Sequence, residues 1–544
     1  MKKPLAIGID DFRRVREEDY YYIDKSLMIK DFIEYKKYVT LITRPRRFGK
    51  SLNMSMLRDF FDITKDSKEI FRGLAIMDTE VKGQMNSLPV IYLTFKNCSG
   101  NTCEELKESL AKAMREEYVR YAELFASDVG RKEDNYYFFY QTYEKLKAGT
   151  IGDISLGGSL SELMRAVSLH YNQRVIVLID EYDHPLIKAY DKGFRDEFST
   201  VYGSFLGEAL NGNQYLEQAL VTGIQRVVKE SIFSELNNFV VYTVLSKQYS
   251  QYFGLTEEET SQALESFGEE LQEDIRLYYD GYVFAGLNMY NPWSILNYID
   301  SGELKPYWIN TSTNVLIRES IRGAQRDFVI AFEKLIMDGE IEVSVNLETS
   351  FIELATSNSL WGLLVNSGYL TAIRSQGEEV TLRIPNVEVK REFRSIVAAY
   401  THLTGDTLNQ LFNSLITNRM DNFLIIYQKL IDEYVSMYDV KENSYHMLLL
   451  GMAISVSGMY KISSNMEAGD GRPDILLESL QPQTRPHVIF ELKQGDNIGK
   501  LKEEALGQIL KKRYYAKLVG RVLCVGIAHN KKQCELIYKE IENN

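Results

Sequence analysis

Over the first half of the chain the apolar residues follow two rhythms. YVTLIT (38–43), LPVIYLTF (88–95), RVIVLIDEYD (174–183) and QALVTGI (218–224) are short, almost continuous apolar runs, and between them apolar positions recur at three- and four-residue spacing. Continuous runs predict strands covered on both faces, and the helical spacing between them predicts crossover helices. Together they predict an α/β domain with a parallel sheet over residues 1–255.

From TEEET at 256 the pattern turns mostly helical, through the aromatic-rich YYDGYVFAGLNMYNPWSIL. LWGLLVNSGYLTAIRSQGEEVTLRIPN (360–386) then predicts a helix and a hairpin turning at SQGEE, and VEVKREFRSIVAAYTHL resumes helix. Residues 256–400 therefore read as a helical lid with a winged-helix-like piece. Residues 401–544 change again, with a helix near 442–459, strands at PDILLESL and HVIFELK, a helix over 499–518 and a strand at RVLCVGIA. That predicts a small αββαβ unit.

Composition narrows the class. A chain of 544 residues is too long for one hydrophobic core, and 45% apolar with 26% charged residues is that of a globular protein. The net charge of −13 argues against coating nucleic acid by bulk electrostatics and confines any such contact to local basic surface. Cys98, Cys103, Cys524 and Cys534 form no disulfide framework or zinc spacing, which points to a reducing cytoplasm. The amino-terminal apolar stretch is too short for a secretory signal, and MLLLGMAISVSGMY (447–460) is too short to span a bilayer and is expected to be a buried helix.

The first candidate chemistry lies in TRPRRFGKS (43–51). In the phosphate-loop pattern G-x-x-x-x-G-K-[ST] the leading glycine falls at Arg44, while Gly49, Lys50 and Ser51 stand as expected between a strand and a helix. Backbone N–H groups at a helix start hold phosphate, the lysine reaches β/γ oxygens and the hydroxyl serves Mg²⁺. Arg44, Arg46, Arg47 and Lys50 also gather positive charge, with the alternative that they form a solvated basic turn. Asp180 and Glu181 close the RVIVLIDEYD strand, where Asp180 would hold Mg²⁺ and Glu181 would orient and deprotonate water. Thr222, ending the next strand, and Arg226 are candidates for sensing the γ-phosphate.

The second lies near the carboxyl end. Asp474 opens one predicted strand, and Glu491 and Lys493 lie two apart on the next, sharing a face. Carboxylates that seat Mg²⁺ against a scissile phosphate, with an ammonium beside the water, suit metal-assisted phosphodiester cleavage. Glu442 and His446 are one helical turn apart and could face the same site, though Glu442 equally suits a helix's first turn. Between Lys493 and Arg521 eight basic residues stand against three acidic ones. The helix bearing Gln508, Lys511, Lys512, Arg513, Tyr514 and Tyr515 is thus a candidate backbone-tracking surface with aromatic platforms, or a solvated helix face.

IGIDDFRRVREEDYYYIDKS, TRPRRFGKS, LIDEYD, TGIQRVVKESIFSELNN, DGYVFAGLNMYNPWSIL, SGYLT, GDGRPDI and FELK, in this order, resemble AAA-ATPase-like proteins with a carboxy-terminal PD-(D/E)XK nuclease-superfamily domain. The resemblance implies that RPRRFGKS is a normal form of the loop, with Arg46, Arg47, Phe48, Gly49, Lys50, Ser51, Asp180 and Thr222 at the nucleotide. It implies Asp474, Glu491 and Lys493 at the D…E-x-K positions, with Glu442 as the helical carboxylate. A Q-x3-Y pattern from Gln508 would put an aromatic at Lys512, so Tyr514 or Tyr515 is left to take that role. The expectation is an ATP- and Mg²⁺-dependent ATPase coupled to a nuclease acting on nucleic acid, DNA in particular. The alternative is a nucleotide-switched scaffold whose last domain binds without cleaving.

Overall fold

The computed structural model describes residues 2–126, 136–226, 239–308, 339–347, 356–376, 379–390, 405–434, 442–453 and 471–543, with shorter stretches between 317 and 335 and between 456 and 468. The chain divides into two compact units: Met1–Leu316 with Glu342–Glu388, and Ile317–Ile341 with Val389–Asn544.

The first unit is built on five strands: β1 (Val39–Thr43), β2 (Val90–Thr94), β3 (Val175–Asp180), β4 (Leu216–Gly223) and β5 (Phe239–Tyr242). All pairings are parallel, in the order β2-β3-β4-β1-β5. Every residue of β1 and β3 is buried, as continuous apolar runs require. β5 is too short to stand out in the pattern of the sequence. Because β4 lies between β1 and β3, the turns after β1 and β3 emerge at one sheet edge on either side of Thr222.

Beyond the sheet, β6 (Leu255–Thr256), β7 (Tyr282–Phe284) and β8 (Leu287–Tyr290) form a small antiparallel sheet in the order β6-β8-β7. The Glu257–Ser266 helix starts with a capping box between Thr256 and Glu259, as the TEEET stretch suggests. The expected helix and hairpin follow as Ser357–Asn366, β10 (Thr371–Gln376) and β11 (Glu379–Arg383), with β9 (Glu340–Ser344) beside β11. Helix resumes over 387–390; the rest of the helix expected there lies outside the described residues, as does the hairpin tip at 377–378.

The second unit has a sheet of β12 (Tyr460–Ser464), β13 (Ile475–Ser479), β14 (His487–Gln494), β15 (Gly520–Asn530) and β16 (Gln533–Asn543), in that order. Only β14 and β15 are parallel. The expected αββαβ unit thus gains two edge strands, whose mixed polar sequences carry no continuous apolar run. Of the apolar stretch 447–460, residues 447–453 lie in the Glu442–Ala453 helix, and Tyr460 already belongs to β12. Phe423, Tyr427 and Leu449 pack with Phe490 and Val525 on one face of the sheet, while Ile509 and Tyr514 pack with Ile489 and Cys524 on the other. No described helix is long and apolar enough to cross a membrane.

Candidate functional site

At the edge of the first unit's sheet the phosphate loop turns into the Lys50–Phe61 helix through Gly49, whose φ of +84° is one that glycine adopts without strain. Lys50 is buried and donates from Nζ to the carbonyls of Arg44 at 2.9 Å and Pro45 at 2.8 Å. Burial pulls its pKa down, while the nearby Glu181, Asp180 and Asp183 hold it up. The ammonium is therefore held inside the loop's curl, next to the helix N-terminus.

Ser51 donates its hydroxyl to Asp180 Oδ2 at 2.6 Å, and Thr222 donates to Asp180 Oδ1 at 2.6 Å. Asp180 is almost fully buried, and desolvation, together with the adjoining Glu181, pushes its carboxyl up against the pull of these two hydroxyls and Lys50. Glu181 is half-buried with φ +54°, and its Oε2 lies 3.9 Å from His184 Nδ1. Burial, with Lys188 and Arg46 nearby, lowers the His184 pKa to about 4, so this imidazole stays neutral at physiological pH.

The arginines part company. Arg44 is wholly buried, with its guanidinium carbon 5.4 Å from the ring centroids of both Phe253 and Phe284, and Nη1 donating to the carbonyls of Thr43 and Tyr242. Its expected part in a phosphate-facing charge cluster is thus corrected: burial holds it inside the fold and lowers its pKa to about 9. Arg47, at φ +68°, lies over the Trp293 ring at 3.5 Å. Arg46 lies near enough to Lys50 and His184 to lower the pKa of each. Phe48 is buried against Tyr282 and Phe284. The aromatic-rich stretch after residue 278 is therefore what holds the loop that lacks a leading glycine.

Two residues that the sequence did not single out join the acidic turn to the end of β4. Asp183 Oδ2 accepts from the backbone N–H groups of Ile224 and Gln225, both at 2.9 Å, and Tyr182 donates to the Gln225 carbonyl at 2.8 Å. Burial lifts Asp183 to about 6. Arg226 follows directly, and residues 227–238 lie outside the described set. Beside Gly49 an apolar cavity is lined by Ala6, Tyr21, Phe48, Leu52, Leu255 and Leu296 among others.

In the second unit Asp474 immediately precedes β13, whose Ile475 pairs with Phe490, the neighbour of Glu491. Asp474 Oδ2 accepts from the Leu492 N–H at 2.6 Å, and the His446 ring donates from Nε2 to the Asp474 carbonyl at 3.0 Å. Burial raises the Asp474 pKa, opposed by the Leu492 N–H, His446 and Lys493. Lys493 Nζ lies 3.8 Å from Glu491 Oε1. Asp474, Glu491 and Lys493 thus come together. Glu442 opens the helix that carries His446, and its side chain lies outside the described residues.

Gln508 donates to both Glu491 Oε1 and the Tyr514 hydroxyl. The Ile498–Lys511 helix can approach this closely because a Cβ on Gly526, the strand partner of Glu491, would stand 2.6 Å from Leu506 N and Lys502 O. Tyr514 is 2% exposed, which corrects its expected use as an exposed stacking platform; its hydroxyl accepts from the same Gln508 amide that donates to Glu491. Lys511, Lys512 and Arg513 are exposed at the end of the helix, and Tyr515 is half-buried.

Two comparisons agree with this geometry. Residues 6–233 match the family described as "Predicted AAA-ATPase", and residues 440–539 match the "PD-(D/E)XK nuclease superfamily". Residues 6–233 thus carry an AAA-ATPase-like domain and residues 440–539 a PD-(D/E)XK nuclease-superfamily domain. It is also 27% identical over 448 residues to an uncharacterized protein in the vnfD 5' region of Azotobacter chroococcum mcd 1, covering 77% of this chain and 75% of that one.

The AAA-ATPase-like match contains the whole Gly49–Lys50–Ser51, Asp180–Glu181 and Thr222 arrangement, and the nuclease-superfamily match contains Asp474, Glu491, Lys493 and Gln508. Among the described residues no three His, Cys, Asp or Glu side chains gather into a preformed metal cage. Each site still fits a hard, largely hydrated cation. In the first, the Ser51 hydroxyl touches a buried carboxylate beside a second acid; in the second, two acids adjoin across neighbouring strands.

Proposed function

We propose that the AAA-ATPase-like domain binds and hydrolyses ATP with Mg²⁺, and that the nuclease-superfamily domain cleaves phosphodiester bonds of nucleic acid, DNA in particular, under control of the nucleotide. The observation that carries the reading is the Ser51–Asp180–Thr222 hydrogen-bonded set beside Lys50 at the carboxyl edge of a parallel sheet.

Lys50 and the N–H groups at the helix start bind the β/γ-phosphates, and the apolar cavity beside Gly49 takes the base. Ser51 and Asp180 hold the Mg²⁺, which neutralises phosphate charge. Glu181 takes a proton from the attacking water, and Thr222 and Arg46 meet the γ-phosphate.

In the second domain Asp474 and Glu491 hold the cation that polarises the scissile phosphate. Lys493 orients the water, Gln508 and Tyr514 fix the Glu491 carboxylate, and Lys511, Lys512 and Arg513 follow the backbone. A cytoplasmic setting suits four reduced, buried cysteines.

The test is an ATPase and nuclease assay, with and without DNA, on the wild type and the Lys50→Ala and Lys493→Ala variants. Loss of ATP binding in the first and loss of cleavage alone in the second support the reading. DNA binding without cleavage of any single-stranded, double-stranded or RNA substrate in Mg²⁺ or Mn²⁺ would favour the switched scaffold instead.

A further inference from the structure

Arg46 and Arg47 belong to a closed circuit of contacts inside the first unit. The Trp308 indole donates from Nε1 to the Arg46 carbonyl at 3.2 Å. The backbone N–H of Trp308 donates to Glu388 Oε1 at 2.8 Å. Glu388 also accepts from the Ser294 hydroxyl, 2.9 Å from Oε2 and 3.1 Å from Oε1. Ser294 follows Trp293, whose ring lies under the Arg47 guanidinium. The path thus runs from Arg46 through Trp308, Glu388, Ser294 and Trp293 to Arg47.

Two features of this circuit exceed what packing needs. Glu388 is wholly buried, and burying a carboxylate is costly unless it is fully hydrogen-bonded. An amide or an apolar side chain could fill the same space with less penalty. The circuit also reaches a covalent exit of the unit. Glu388 is the last residue of the first unit, and Val389 begins the second. Trp308 is the last described residue before the stretch that leads to Ile317, where the second unit first begins. The crossing at Glu388 is thus bonded to Trp308, and through Trp308 to the phosphate loop.

We propose that Trp308 and Glu388 are positioning residues that transmit the nucleotide state of the phosphate loop to the unit carrying Asp474, Glu491 and Lys493, a proposal that rests on the ATP-binding reading above. A ligand shifts a two-state element only through contacts that differ between its states. Phosphate oxygens compete with the Trp293 ring for the Arg47 guanidinium and reorient the Arg46 peptide. Both changes fall on groups that touch Trp293 and Trp308, and through Ser294 and Glu388 they reach the chain exit at Val389.

The experiment uses the full chain with ATPγS and Mg²⁺, reading affinity by calorimetry, tryptophan emission, and hydrogen exchange of peptides from 317–341 and 389–544. In the wild type ATPγS changes the emission and alters exchange in those peptides. Trp308→Phe removes the indole donor and keeps an aromatic ring; Glu388→Ala removes the acceptor. Both are expected to bind ATPγS within about threefold of wild type and to lose at least about fivefold of the exchange response. Glu388→Gln keeps an acceptor for Trp308 and a partner for Ser294, and so restores the response.

Wild-type exchange in both variants overturns the proposal, as does ATPγS binding to the wild type with no exchange response. Binding and response lost together would place the pair in the nucleotide site itself and also overturn it. If Glu388→Ala does not fold, Trp308→Phe decides. Failure of the wild type to bind ATPγS at all would instead remove the ATP reading on which this rests.

Discussion

The Ser51 hydroxyl and the Asp180 carboxylate, 129 residues apart in sequence, lie 2.6 Å from each other, with Thr222 closing on the other carboxylate oxygen. Ser51 and Asp180 are the pair that would hold a hydrated divalent cation, which would supply positive charge beside the phosphates. Asp180→Asn is therefore expected to leave weak nucleotide binding while removing its Mg²⁺ dependence. Calorimetry with ATP in the presence of EDTA or Mg²⁺ reads this, and an unchanged Mg²⁺ effect would assign the cation elsewhere.

Lys50 supplies the positive charge inside the loop. Lys50→Ala removes that charge and the two hydrogen bonds to the carbonyls of Arg44 and Pro45. We expect ATP affinity to fall by at least about a hundredfold, two charge-assisted contacts being worth roughly 3 kcal/mol. Affinity within a factor of three of wild type would mean that the loop does not hold triphosphate.

Glu181 Oε2 lies 3.9 Å from His184 Nδ1. Glu181→Gln keeps its shape and removes its basicity, so turnover is expected to fall by about 10²–10⁴ with ATP affinity retained. Steady-state phosphate release and a binding isotherm on the same sample separate the two effects.

The nuclease-superfamily site gives a graded pair. Lys493→Ala is expected to abolish cleavage and leave ATPase activity intact. Tyr514→Phe loses only the hydroxyl that accepts from Gln508, a bond worth about 1 kcal/mol, so cleavage should fall about three- to tenfold. Cleavage surviving in Lys493→Ala, prepared free of contaminating nucleases, would refute the assignment.

Glu388 adds a pH signature. Burial raises its pKa from 4.5 to about 7, against the pull of the Trp308 and Tyr307 N–H groups and Ser294. The folded chain therefore keeps this proton while the unfolded chain gives it up. The contribution is complete below about pH 4.5, falls as pH rises and is gone above about pH 7. Relative to Glu388→Gln, the wild type should lose on the order of 3 kcal/mol between pH 4.5 and 8. Denaturant midpoints of both chains at the two pH values check this, and a constant difference would exclude a buried, titrating Glu388.

The residue pattern alone was enough for the buried β1 and β3, whose unbroken apolar runs admit no solvent-facing side, and for the placement of Gly49–Lys50–Ser51 at a helix start, because a strand–turn–helix passage is a local feature. It was also enough to put Glu491 and Lys493 on one face of a strand, since period-two geometry is local, whereas the pairing of β13 with β14 sets Asp474 beside them. Folding in three dimensions decided what depends on partners distant in the chain. Arg44 looked like a phosphate ligand until Phe253 and Phe284 enclosed it, and Tyr514 looked like a stacking ring until Gln508 and the sheet buried it. Asp183 and Glu388 gave no signal at all, because a lone carboxylate acquires its role from backbone N–H groups roughly 40 and 80 residues away, and long-range pairing leaves no periodic trace in sequence.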